Sequence, residues 1–149
     1  MRRGITLTET LIVAALMALV AAIVVSAFAG YGQNEALEKN ATVVASILRQ
    51  AQLETLGSKD AVAYGVHLEE TKAILFKGIY SSTDPFNRAY NFHPSIKIST
   101  VSLTGGGSDV VFERLLGTTA NSGTVVFEKK EDPAAQRTIT IKATGLVDY

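Results

Sequence analysis

The sequence predicts an α+β fold, a long N-terminal helix followed by a head of short antiparallel strands, on three observations. Leu11 to Ala29 is uncharged and holds one polar residue, Ser26. From Leu37 to Ala51 apolar residues recur at helical spacing. From Val62 onward the period drops to two, with turn residues between the runs.

The first element is the apolar run. Its length at about 1.5 Å per residue makes roughly 28 Å of helix, which matches the ~30 Å hydrocarbon core of a bilayer. Arg2 and Arg3 precede it, Glu9 sits just inside its leading edge, and no further charge occurs before Glu35. A carboxylate placed there costs a few kcal/mol, depending on depth. Ala27-Phe28-Ala29 before Gly30 fits the small-residue cleavage site of a secretory signal, and the two arginines fit a plain anchor with its N-terminus in the cytoplasm. Neither reading uses Glu9.

The second element continues the helix. Leu37, Ala41, Val44, Leu48 and Ala51 advance in steps of four and three with Ile47 beside them, while Glu35, Glu38, Lys39, Arg49, Gln52 and Glu54 fill the opposite face. Asn34 is expected as a local break or cap and Gly57 as the C-cap. One helix is therefore expected, its first half long and apolar enough to lie in a membrane and its second half packed on the head.

The strands follow. Val62, Tyr64, Val66 and Leu68 alternate with Ala61, Ala63, Gly65 and His67, and a turn at residues 69–72 returns the chain into a strand at 73–77. Residues 80–94 hold two of the three prolines and read as a long loop, folded onto the sheet by Tyr80, Phe86, Tyr90 and Phe92 or presenting them as a contact surface. Ile96, Ile98 and Val101 or Leu103 give another strand. Gly105-Gly106-Gly107-Ser108 reads as a hairpin turn into a strand at 109–113, and residues 123–128 and 137–142 form a last hairpin.

Composition narrows the chemistry. The 14 basic and 14 acidic residues cancel, and without Arg2, Arg3 and Glu9 the remainder carries 12 and 13. Nothing in this balance implies a basic, nucleic-acid-binding surface. There is no cysteine, so packing alone holds the head together, and the two histidines, His67 and His93, have no second ligand at metal-binding spacing. No metal, no cofactor and no catalytic constellation is expected. His67 is placed on an exposed or edge face of its strand. Thr104 to Asp109 lacks the lysine and helix of a phosphate loop. Asp84, Asn87 and Asp109 lack the alternating ligand spacing of a calcium loop. Asn40-Ala41-Thr42 fits the glycosylation sequon by chance, inside a helix.

Arg2-Arg3-Gly4-Ile5-Thr6-Leu7-Thr8-Glu9 resembles the N-terminus of the type IV pilin superfamily, which includes type IV pilins and the pseudopilins of secretion and competence systems. The resemblance implies a pilin-like fold and a basic leader, residues 1–4, in which Arg2 and Arg3 serve recognition. A prepilin peptidase then cleaves between Gly4 and Ile5, and Ile5 is N-methylated. Glu9 becomes the fifth residue of the mature chain, one helical turn from the new terminal ammonium. In the family's filament model this glutamate pairs with the ammonium of a neighbouring subunit and sets axial register, which gives the buried charge its partner. Many pilins carry a proline in mid-helix. This chain has none, so the kink is expected to be absent or centred on Ser26 and Gly30.

A second resemblance covers the C-terminal half. Phe112, Gly117, Gly123, Arg137, Gly145 and Val147 match the GspH/FimT group of minor pseudopilins, in a looser pattern because glycines punctuate any β-rich domain. Together these imply a filament-core helix at 5–30, an amphipathic half at 31–57 and a head at 58–149. The implied partners are other pilin or pseudopilin subunits, the prepilin peptidase/methyltransferase, an inner-membrane assembly platform, and membrane lipid before assembly. The implied location is the cytoplasmic membrane, single-pass with the head on the outer face, and then the filament. The alternative is a DNA-binding minor pilin for natural transformation, with Lys129, Lys130, Arg137 and Lys142 as its local patch.

Overall fold

The computed structural model describes residues 6–149, without the side chains of residues 27–33. The chain divides into two compact units after Asn34. One helix, α1 (Leu7–Leu56), begins in the first unit and ends in the second. No break falls at Asn34, where the sequence predicts one.

In the first unit, Leu7–Ser26 forms a helix of 20 residues with mean hydropathy 2.4, none of it buried, long and apolar enough by length and composition to cross a membrane. Its large side chains point outward on every side, from Leu11 and Ile12 through Met17 to Val25.

In the second unit the helix is amphipathic in the predicted way. Leu37, Ala41, Val44, Ala45, Leu48, Ala51 and Thr55 form a buried stripe, with Ile47 beside it. The helix does not end on Gly57 as a left-handed cap. That conformation falls to Ser58 (φ 47°), followed by Asp60 (φ 55°) and Ala61 (φ 57°) around a short 3-10 turn. Asp60 is held there by Lys77 Nζ at 2.7 Å and Tyr64 Oη at 3.0 Å, and both contacts, that with Lys77 first, keep its carboxyl below the usual aspartate range.

Eight strands follow: β1 (Tyr64–Glu69), β2 (Lys72–Lys77), β3 (Arg88–Asn91), β4 (Ile96–Leu103), β5 (Asp109–Val111), β6 (Gly123–Lys129), β7 (Gln136–Ile141) and β8 (Val147–Asp148). They form two antiparallel sheets of order β3-β2-β1-β5 and β4-β6-β7-β8. The first β1–β2 hairpin and the β6–β7 hairpin lie where the alternation puts them. Buried residues of α1 and of both sheets, among them Val44, Leu48, Tyr64, Val66, Leu75, Phe112, Phe127 and Ile139, make one core.

Two expectations are corrected and a third is resolved. The glycine turn at 105–107 is no hairpin: β4 lies in one sheet and β5 pairs with β1 in the other, so the turn is a crossing between sheets. Part of the 80–94 loop is strand β3, an edge strand on β2. A bulge between Ile98 and Thr100 shifts the parity of β4, which is why the buried set changes from Ile96 and Ile98 to Leu103. The rest of the loop folds back through its aromatics. Tyr80 stacks on His67 and meets Phe76 edge-on at 5.4 Å, Phe86 packs on Tyr64, and Phe92 from β3's end on Phe127.

Candidate functional site

The first turn of α1 is capped by its own sequence. Thr6 Oγ1 accepts the backbone N–H of Glu9 at 3.3 Å, and Thr6-x-x-Glu9 has the spacing of a capping box. Glu9 thus lies in the helix's first turn, where a carboxylate is favoured by the helix dipole. Sequence reasoning assigned Glu9 an intermolecular role and missed this local one, although the Thr-x-x-Glu signal was there to be read. The other hydroxyls of the segment are satisfied internally: Thr10 donates to Leu7 O and Ser26 to Ile23 O, each at 2.8 Å. Such bonds let a helix carry Thr and Ser into apolar surroundings. The Glu9 carboxylate has no hydrogen-bond or ion-pair partner among the described residues, and the side chains that follow it are exposed and apolar. Gly4 and Ile5, expected as the cleavage and methylation positions, and Arg2 and Arg3, expected to serve leader recognition, lie outside the described residues.

Several of the C-terminal motif residues lie where the head meets the second half of the helix, at separate points along it, while Gly123 packs within the second sheet. Gly117 (φ 67°) lies against Leu56, whose side-chain carbons stand about 3 Å from where a Cβ would sit. Its carbonyl accepts Gln52 Nε2 at 2.9 Å. Gly145 (φ 83°) abuts that same carbonyl and the Gln52 amide, so any side chain there would overlap both. Arg49 Nη2 donates to Val147 O at 2.8 Å, and Arg137 Nε meets Glu38 Oε2 at 2.6 Å. Phe112 and Val147 are core residues, and a Cβ at Gly123 would collide with the β4 backbone at Ser102. The motif is therefore a fastening between helix and sheets. It contains no reactive group aimed at a cavity.

The remaining candidates separate. His67 lies on β1, an inner strand, half-buried under Tyr80 and paired with Asp109, so it is neither exposed nor on an edge. Among the described residues no three His, Asp or Glu side chains converge on a metal position. Asp84 Oδ1 accepts the Phe86 N–H and Asn87 donates to Ser81 O within one turn, while Asp109 is engaged by His67. Asn40 is held at both ends of its amide, by Ala36 O and the His93 N–H. Of the four basic residues expected as a patch, Lys129 is buried, Arg137 is paired with Glu38 and Lys142 with Asp148 at 2.7 Å. Lys130 alone of them is exposed and outside an ion pair among the described residues.

An apolar N-terminal helix whose second half fastens to an antiparallel two-sheet head defines a pilin-like α+β fold. The fold is shared with the type IV minor pilin FimU of Pseudomonas aeruginosa, with a TM-score of 0.56 over 75% of this chain and 90% of that chain, at 14% sequence identity. At that identity the likeness is one of fold. No protein-family model matches the chain, and no curated protein matches it in sequence.

Proposed function

We propose that the chain is a structural minor pilin or pseudopilin subunit, and no enzyme. It would wait in the cytoplasmic membrane through Leu7–Ser26, be cut between Gly4 and Ile5, be methylated on Ile5, and then join a helical filament. The observation that carries this reading is Glu9, a carboxylate with no partner among the described residues, in the first turn of an exposed apolar helix on a chain that shares its fold with a minor pilin. Such a charge needs a counter-charge once lipid or protein closes around it. The free ammonium of Ile5 on a neighbouring subunit has the right sign, and the Thr6 cap would fix where the helix begins and so how far below that terminus Glu9 lies. The matched C-terminal positions favour the GspH/FimT branch. The leader arginines would meet the peptidase, and the finished helix the assembly platform and its fellow subunits.

The test is intact mass and N-terminal sequence of the protein taken from its host's membranes. A terminus at Ile5, heavier by about 14 mass units for one methyl group, is expected. A terminus at Gly30 would mean a secreted protein and end the filament reading. Glu9→Ala is expected to leave insertion and processing intact and to reduce incorporation into filaments; wild-type incorporation would refute the register role. The DNA-receptor alternative has less support, since Lys129 is buried and Arg137 and Lys142 each face a carboxylate. It would return only if binding to DNA showed the steep salt dependence of phosphate contacts.

A further inference from the structure

Strand β3 is the outer strand of its sheet, and its pairing with β2 uses only one row of its backbone groups. Phe92 N donates to Thr71 O on the β2 side at 2.9 Å. Bonded residues alternate in an antiparallel pair, so Tyr90 and Arg88 also turn their N–H and C=O groups to β2. Ala89, Asn91 and His93 turn theirs to the outer edge. The His93 N–H is met there by Asn40 Oδ1 of α1 at 3.2 Å. The backbone groups of Ala89 and Asn91 make no hydrogen bond among the described residues.

This edge borders a groove. A space of about 420 Å³ lies between α1 and the end of β3, lined by Val43, Tyr90 and Phe92, with Lys39 and Asn91 among its polar residues. Its wall at Asn40 is fixed, because Asn40 Nδ2 donates to Ala36 O at 2.6 Å while the amide oxygen holds His93. No acidic side chain lines the groove. Lys39 is exposed and makes neither ion pair nor hydrogen bond among the described residues. Arg88, at the other end of β3, is also exposed and outside any ion pair among them, its guanidinium 5.6 Å from the Phe86 ring centre.

Single charges often guard an edge strand against pairing with other chains, and a guard needs only solvent around it. Here the cation borders a formed, partly apolar groove beside two residues whose donors and acceptors all face outward. Strand addition uses this combination: main-chain bonds supply affinity, and a side-chain pocket selects the sequence. We propose that the β3 edge receives an extended acidic peptide of a partner protein. Its backbone pairs with Ala89 and Asn91, one apolar side chain enters the groove against Tyr90 and Val43, and a carboxylate meets Lys39. Charge complementarity sets the sign of the partner. The site lies wholly within the head, so the inference goes beyond the filament reading and stands or falls without it.

The probe is a pool of synthetic hexapeptides blocked at both ends, valine alternating with threonine or aspartate, and its counterpart carries lysine in place of aspartate. Hydrogen exchange is followed residue by residue in the detergent-solubilised full chain. The aspartate pool is expected to slow exchange several-fold at the Ala89 and Asn91 amides and to leave inner-strand amides such as Val66 unchanged. Ala89→Pro removes an N–H that no bond to β2 uses, a change that edge strands tolerate, and is expected to abolish the protection at an unchanged melting temperature. Lys39→Glu, at an exposed helix position, is expected to move the preference from the aspartate pool to the lysine pool, and it keeps the test decisive if proline disturbs the strand. Protection by neither pool, or by both alike, overturns the proposal and leaves the two cations as guards. Protection that rises with protein concentration and needs no peptide also overturns it, since the occupant is then β3 of a second copy. So does an equal response to free sodium aspartate, which reduces the groove to an anion pocket.

Discussion

The two halves of α1 are the same secondary structure in opposite states of solvation. Leu7–Ser26 buries nothing, whereas seven residues between Leu37 and Thr55 make a stripe at 5% exposure or less. Both halves are rich in Leu, Ala, Ile and Val, so propensity for helix does not distinguish them. Distribution does. The first half is apolar around its whole circumference and can be satisfied only by lipid or by other protein, while the second confines its apolar residues to one face and is satisfied by its own head.

The sharpest way to break the comparison is to make one substitution in each half. Leu48→Ala removes a side chain with no exposure and is expected to destabilise the head by about 2–5 kcal/mol, from lost transfer and the cavity left behind. Leu16→Ala, at 58% exposure, is expected to leave head stability unchanged in detergent. Thermal unfolding of the full chain checks both, and a large effect of Leu16→Ala would show that the first half is not independent of the head.

Inside the core, one hydroxyl ties the end of the second half to β1. Thr55 Oγ1 donates to Ala51 O at 2.7 Å and accepts Tyr64 N–H at 2.9 Å, joining helix to β1 inside the core. Thr55→Val keeps the shape but leaves the buried Tyr64 N–H without an acceptor, at an expected cost of about 1–3 kcal/mol. Denaturant unfolding should show a lower midpoint at unchanged slope. An unchanged midpoint would mean that another acceptor reaches that N–H.

Tyr64 itself gives the head an alkaline limit that the apolar half lacks. Burial first, and then its bond to Asp60, push its pKa up to about 12. The unfolded chain ionises this phenol near its ordinary value of 10.0, so the stabilisation is complete below that pH and disappears as pH rises through about 12. Relative to Tyr64→Phe, the wild type is expected to hold a constant margin up to about pH 9 and to lose it progressively above pH 10. Parallel stability curves across that window would place the phenol in water.

Much of this was legible in the sequence because it depends on period. The long helix, its solvation boundary and both long hairpins follow from spacing alone. What the sequence concealed depends on pairing partners, which spacing does not encode. The glycines at 105–107 look like any hairpin turn, and only the pairing of β5 with β1 reveals a sheet crossing. The bulge in β4 moves its buried face from Ile98 to Leu103, a choice that spacing left open between Val101 and Leu103. His67 sits at an outward position of its alternation, and its cover, Tyr80, arrives from a loop with no period at all. At the candidate site Glu9 stood out because charge is rare in such a run. Gly117 and Gly145 could be matched to a pattern, but their reason, close approach to Gln52 and Leu56, needed the fold.

The smallest expected effect concerns how firmly the second half is tied at its entry to the head. Arg137 and Glu38 pair at 2.6 Å, yet both side chains are more than half exposed. Water screens the pair, and each long side chain loses freedom in making it, so Glu38→Gln is expected to change head stability by about 0.2–1 kcal/mol, falling toward zero in high salt. A double-mutant cycle with Arg137→Gln isolates the coupling from any change in helix propensity. A coupling of several kcal/mol that survives salt would mean that the pair is shielded from water within the chain itself, and that the exposed geometry of the two side chains is not the one that matters.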